Sequence, residues 1–123
     1  MDAFREMLEL ARQKMLSCNA QEHTQIIAAL STCGNFYYKV IHNPLTEELT
    51  DEKCFIEELV KNQDTQLKKF ICLWANGNID IPSFHFRKLL CDANCLTSET
   101  EILLQSVDGY IIKTYSQIFS IAG

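Results

Sequence analysis

The sequence predicts an all-α fold, a bundle of five to six helices in a single domain that spans residues 1–123. Apolar residues recur at helical spacing through nearly the whole chain. Capping residues precede several of these apolar runs. The chain contains only four Gly and two Pro, and 47% of its residues are apolar. A chain of this length and composition can bury a core without disulfide bridges.

The first two helices are predicted over residues 2–17 and 20–42. An apolar stripe runs through the first from Phe4 to Met15. Asn19 and Glu22 resemble a capping box at the start of the second. Gly34 interrupts the second helix, and Pro44, preceded by Asn43, ends it.

The third helix is predicted to start at Thr46 or Thr50, and Asn62 and Gln63 mark the turn that follows it. Asp64 caps a fourth helix that ends before Gly77, a residue suited to a left-handed cap. The next helix starts with Pro82 in its first turn. Residues 79–82 are the alternative, a short extended piece, but Pro82 fits better in the first turn of the helix.

The last helix is predicted from Ser98, which forms an S-x-x-E capping box with Glu101. It is apolar around much of its circumference, as the central helix of a bundle is. A strand from Tyr110 to Phe119 is the alternative, because Ile, Tyr and Thr favour sheets.

The formal net charge is −5, which disfavours nucleic-acid binding because phosphates require clustered Lys or Arg. Many of the acids fall in one run that Lys53 alone opposes. The run is a solvated helix face or a surface that attracts a basic protein. Its members are Glu47, Glu48, Asp51, Glu52, Glu57 and Glu58.

Three aromatic residues are candidate contact anchors for the same partner: Tyr37, Tyr38 and Phe84. Consecutive rings on a helix cannot all face the core, so at least one should be exposed. Exposed aromatics beside Lys or Arg are typical of protein interfaces.

The six cysteines are expected to be reduced thiols in a cytoplasmic protein. The N-terminus has no signal-peptide pattern, and free Cys packs well in apolar stripes. No apolar run is long enough to cross a membrane.

The best metal candidate is the group His85, Cys91 and Cys95. It lacks a C-x2-C pair and a fourth ligand, so packing thiols and a surface His are the simpler interpretation. No phosphate-binding glycine motif or H-E-x-x-H occurs. The sequence therefore predicts no metal, no cofactor and no enzymatic activity.

The function predicted from these observations is stoichiometric protein binding. The charge and size suit an inhibitor or immunity-type protein that occludes a basic toxin or effector. A secretion chaperone or adaptor is one alternative, and a metal-binding protein or enzyme using His85, Cys91 and Cys95 is another. A homo-oligomer formed through the predicted helix over residues 102–121 is also possible.

Overall fold

The computed structural model describes residues 2–44 and 48–119. It contradicts the all-α prediction, because six strands form one mixed sheet and the described residues contain four helices. The elements in chain order are α1 (Asp2–Ser17), β1 (Gln25–Ser31), β2 (Phe36–Ile41), α2 (Thr50–Lys61), β3 (Leu67–Trp74), β4 (Ile79–Asp80), α3 (Phe84–Asp92), β5 (Glu101–Ser106), β6 (Gly109–Thr114) and α4 (Tyr115–Ile118). The strand order is β2-β1-β3-β5-β6, with β4 paired to β3.

The predicted helix over residues 20–42 is an antiparallel hairpin of β1 and β2. Gly34, which was expected to interrupt a helix, lies in the hairpin turn with a φ of 92°. That conformation is open to glycine at no steric cost. Asn19 does not cap a second helix but follows α1 with a φ of 54°. The β-branched and aromatic residues of these strands favour the sheet.

The predicted fourth helix is β3, a strand at the centre of the sheet. Most of its residues are buried, on both faces. Strands buried on both faces have nearly continuous apolar sequences, which periodicity alone does not distinguish from a buried helix. Gly77 forms a turn with a φ of 92° rather than a helix cap. The chain then returns as β4 at Ile79–Asp80, the first half of the extended piece considered over residues 79–82.

The predicted C-terminal helix is the β5–β6 hairpin followed by the short helix α4. Glu101 begins β5 instead of closing a capping box, and β5 runs parallel to β3. The alternative prediction, a strand from Tyr110 to Phe119, is confirmed only as far as Thr114, where β6 ends. Helices α1 and α2, the latter from Thr50, match their predictions closely. Helix α3 is also present, but it begins at Phe84 after the Ser83 cap, so Pro82 precedes the helix instead of lying in its first turn.

Helices cover both faces of the sheet. Side chains of α1, including Phe4 and Met7, pack on one face. On the other face Phe55 of α2 and Phe86 of α3 pack in a second core. No helix in the described part of the chain is both long and apolar enough to span a membrane.

Candidate functional site

A cleft of about 250 Å³ lies at the N-terminus of α3. The first residue of β1 and the last residues of β3 and β4 form its walls, together with the first turn of α3. Sites in α/β sheets commonly lie at strand ends in this way. We call it the α3 cleft; its described lining is Gln25, Pro44, Trp74, Asp80, Ile81, Pro82, Ser83, Phe84 and Arg87.

Aromatic and amide groups give the α3 cleft its chemical character. Phe84 is 59% exposed, and Trp74 is partly buried at the end of β3. Gln25 is only 3% exposed. Flat rings next to a buried amide are the combination that binds a heterocycle, by stacking and by hydrogen bonds to its edge.

Ser83 caps α3 at the floor of the α3 cleft. Its Oγ accepts a hydrogen bond from the Phe86 amide at 3.2 Å, and its carbonyl accepts from the Arg87 amide at 2.8 Å. The amides of Phe84 and His85 belong to the first turn, where a helix supplies no acceptor. This end of α3 is therefore the positive end of the helix dipole.

Arg87 lies one turn further along α3 and is half-buried. Its guanidinium stacks over the Phe119 ring at 3.9 Å from the centroid and lies 5.7 Å from the centroid of Phe84. The Nε atom is buried and has no hydrogen-bond partner.

Beneath the first turn of α3, the Phe86 ring is buried between α2 and the sheet. Its centroid is 6.2 Å from that of Phe55 and 6.1 Å from that of Phe70. These three rings fill the space where α3, α2 and β3 meet. The region is therefore dry and apolar.

Glu52, in the first turn of α2, is 2% exposed. Burial raises the pKa of its carboxyl group above the ordinary value. The prediction that Glu52 belongs to an exposed acidic surface is wrong. Its position on α2 points it inward with Phe55 and Leu59.

The other predicted partner-binding residues are distributed over several elements, and a protein partner at them stays a prediction. Asp51 accepts hydrogen bonds from the His42 amide at 2.9 Å and lies 3.1 Å from the His42 ring. Glu48, Glu57 and Glu58 are exposed, Phe84 lines the α3 cleft, and Glu47 lies outside the described residues.

Tyr37 is buried rather than exposed, and its hydroxyl donates to Asp64 at 2.7 Å. The hydroxyl of Tyr38 is also buried and has no partner. Both tyrosines, with Asp51 and Glu58, line a larger concavity of about 510 Å³. Consecutive residues of a strand point to opposite faces. This concavity therefore curves around the edge strand β2, and Lys14 of α1 and Glu58 of α2 also line it.

The candidate metal ligands are not brought together. His85 is exposed, and Cys95 is buried in the core, where burial raises its pKa to about 11. Cys91 forms a hydrogen bond with the Tyr115 hydroxyl at 3.3 Å. Within residues 2–44 and 48–119, no three His, Cys, Asp or Glu side chains are grouped to hold a metal ion.

The fold is that of solved cytidine deaminases. The enzyme from Mycobacterium leprae superposes with a TM-score of 0.70 at 18% identity, covering 95% of this chain and 97% of that one. The Bacillus anthracis enzyme gives 0.71 at 15% identity, covering 95% and 86%. The Burkholderia pseudomallei enzyme gives 0.67 at 10% identity, covering 97% and 98%. No family model and no curated protein matches the sequence.

These similarities overturn the predicted function. An inhibitor or immunity-type helical bundle is contradicted by an α/β fold whose solved neighbours are enzymes. The prediction of no enzymatic activity is contradicted for the same reason. The enzyme alternative is the better one, although not through His85, Cys91 and Cys95. The idea of a basic protein partner is not tested by these similarities.

The zinc site of such deaminases is not reproduced by the residues present. Zinc deaminases carry H-x-E and P-C-x-x-C, whose His and Cys hold the metal. The chain contains no H-x-E, C-x-E or C-x-x-C. When Pro82 is aligned with the proline of P-C-x-x-C, Ser83 and Phe86 stand where the signature has its two cysteines. The Ser83 oxygen caps α3, and a buried phenyl ring has no donor atom for a metal. The chain thus has the cytidine deaminase fold without the zinc donors of that signature.

Proposed function

We propose that this chain binds a pyrimidine nucleoside or a close analogue in the α3 cleft, as an enzyme of this fold binds its substrate. The main support for the proposal is the position of the α3 cleft. It lies on the Pro82–Phe86 segment, which has the spacing of the deaminase signature, and Trp74 and Phe84 supply rings beside the Gln25 amide. The solved neighbours are named as cytidine deaminases, which supports a ligand of that class.

The chain's own residues supply recognition in the α3 cleft. Phe84 and Trp74 can stack on a pyrimidine, and each stacked base contributes about 1–3 kcal/mol in aromatic-lined sites. The Gln25 amide both donates and accepts, so it can pair with the edge of the ring. The Ser83 hydroxyl keeps its hydrogen free to donate, because its oxygen is the acceptor in the cap.

Trp74 makes the proposal directly testable, because it is the sole tryptophan of the chain. We expect cytidine to change the Trp74 fluorescence saturably. Phe84→Ala should weaken the binding about tenfold, the loss expected for one stacking partner. Phe36→Ala, which removes a partly exposed ring from the other concavity, is the matched control and should bind like the parent.

Uridine formation from cytidine is measured in the same samples, with and without added zinc. Saturable binding lost in Phe84→Ala supports the proposal, and turnover that the same variant reduces supports it further. The proposal is overturned if cytidine leaves the Trp74 signal unchanged. It is also overturned if Phe36→Ala weakens binding and Phe84→Ala does not.

A cytoplasmic location is the second part of the proposal. All six cysteines are free thiols, and reducing compartments preserve free thiols. Fractionation of the native host should recover the chain with cytoplasmic markers. Recovery in a secreted or membrane fraction would contradict this part alone.

A further inference from the structure

Arg87 is a cation without an acidic partner in the described part of the chain. There, ion pairs join His42 to Asp51 and Lys69 to Glu101, and neither involves Arg87. Arg87 is half-buried, lines the α3 cleft, and has a buried Nε without a hydrogen-bond partner. A charged group removed from water is costly unless it is paired and hydrogen-bonded.

The aromatic rings around Arg87 do not supply an opposite charge or hydrogen-bond acceptors for its guanidinium. Phe119 and Phe84 lie against the guanidinium and provide cation–π contacts. The N–H groups of a guanidinium lie in its own plane and are suited to the paired oxygens of a carboxylate or phosphate. A ring stacked on the face leaves the in-plane terminal donors that do not bond Tyr115 available, because the neutral Tyr115 side chain is the described hydrogen-bond partner of Arg87 and does not neutralise its charge.

Ser83 and Arg87 are four residues apart, so they lie on the same side of α3. The long side chains of a helix lean toward its N-terminus. The Arg87 guanidinium contacts Phe119 and Tyr115 on one side and lies 5.7 Å from the centroid of Phe84, whose amide is among those that lack helical acceptors. A guanidinium and the positive end of a helix dipole together favour an anion.

Asp80 is the acidic side chain in the described lining of the α3 cleft. Its Oδ1 accepts the Ile81 amide at 2.7 Å, which fixes the carboxylate to its own turn. Asp80 forms no ion pair with Arg87, so the cation is not neutralised by it. A carboxylate in this place can accept a hydrogen bond from a sugar hydroxyl.

We propose that the ligand of the α3 cleft carries a phosphate group, bound by Arg87 and the first turn of α3. The ligand class is therefore a nucleoside monophosphate rather than a free nucleoside. This inference rests on the proposed nucleoside binding and makes it more specific.

Paired titrations of Trp74 fluorescence with cytidine and cytidine monophosphate test the inference. The monophosphate should bind at least about tenfold tighter at low salt, the gain of one charge-assisted contact. Added salt should reduce this difference. Inorganic phosphate should compete with the monophosphate and leave cytidine binding unchanged.

The variant Arg87→Gln should remove the preference for the monophosphate, and Arg87→Lys should retain part of it. Lys88→Gln is the matched control, because it removes the same charge from an exposed position on the same helix. It should keep the full preference. Thermal unfolding followed by circular dichroism establishes that each variant is folded at the titration temperature.

The outcomes separate this inference from the proposed function. Equal binding of both ligands by the parent protein overturns the phosphate site and leaves nucleoside binding intact. Equal loss of preference in Lys88→Gln and Arg87→Gln also overturns it, since bulk charge would then be the cause. No binding of either ligand overturns both proposals.

Discussion

The Phe86 ring meets the Phe55 ring edge-on, with an interplanar angle of 80° and centroids 6.2 Å apart. This contact joins α3 to α2, and Phe70 joins the pair to the sheet. Edge-to-face geometry is a favoured arrangement for aromatic rings. The junction holds the two helices together with apolar packing at the Pro82–Phe86 segment.

Truncation of this junction should destabilise the protein strongly. We expect Phe86→Ala to lower the free energy of unfolding by about 3–5 kcal/mol, because it opens a cavity in a dry core. Phe86→Leu should cost less, since most of the volume is kept. Urea denaturation measures both values. Phe36→Ala is the surface control, and a Phe86→Ala loss no larger than the control would contradict the packing described.

The protein should be isolated without stoichiometric zinc. The sequence lacks the His and Cys signature that holds the metal in a zinc deaminase, and Phe86 stands at the position of the second cysteine. Elemental analysis of purified protein should find less than about a tenth of an equivalent of zinc, and a chelator should leave the melting temperature unchanged. One equivalent of zinc, together with a fall in melting temperature on chelation, would contradict this prediction.

Asp64 should make folding sensitive to acid. Hydrogen bonds, first from Asn35 and then from Ser31 and Tyr37, lower its pKa to about 2 from an ordinary 3.8. The unfolded chain therefore takes up a proton before the folded chain does. This stabilisation is present above pH 3.8 and is lost as the pH falls toward about 2.

Asp64→Asn should flatten the pH dependence of unfolding in this window. It should also destabilise the protein by about 1–3 kcal/mol at neutral pH, because it replaces the buried carboxylate that accepts hydrogen bonds from Asn35 and Tyr37. Asp108→Asn, at an exposed turn, is the control. If the free energy of unfolding of Asp64→Asn falls with pH in parallel with that of the parent below pH 3.8, Asp64 is not the cause of the acid sensitivity.

The cysteines should fall into two reactivity classes. Cys33 and Cys54 are exposed, whereas Cys72 and Cys95 are buried. Burial raises the pKa of both buried thiols, and the hydrogen bond with Asp64 raises the pKa of Cys33, so exposure is what separates the two classes. A brief alkylation followed by peptide mass spectrometry should label Cys33 and Cys54 first. Early labelling of Cys72 or Cys95 would contradict the fold.

The sequence was informative where helices are amphipathic. The stripe of α1 and the first turn of α3 near Ser83 have one apolar face, so their period is visible. β3 is buried on both faces and has no such period. Its apolar residues therefore matched a helix by chance, and the hairpins at Gly34 and Gly109 were missed with it.

The candidate site was mostly hidden from sequence analysis. Phe84 was named, but as an anchor for a protein partner. Gln25, Trp74 and Arg87 come from three separate elements, and only the sheet topology brings them together. The signal available in the sequence was weak, since Pro82 is followed by Ser and Phe where a zinc deaminase has cysteines.

Chemical-shift mapping with cytidine distinguishes binding in the α3 cleft from binding in the concavity around β2. We predict that the Trp74 indole and the Phe84 and His85 amides shift saturably, while the Tyr38 and Lys39 amides do not. Shifts confined to β2, or no shifts at all, would contradict it.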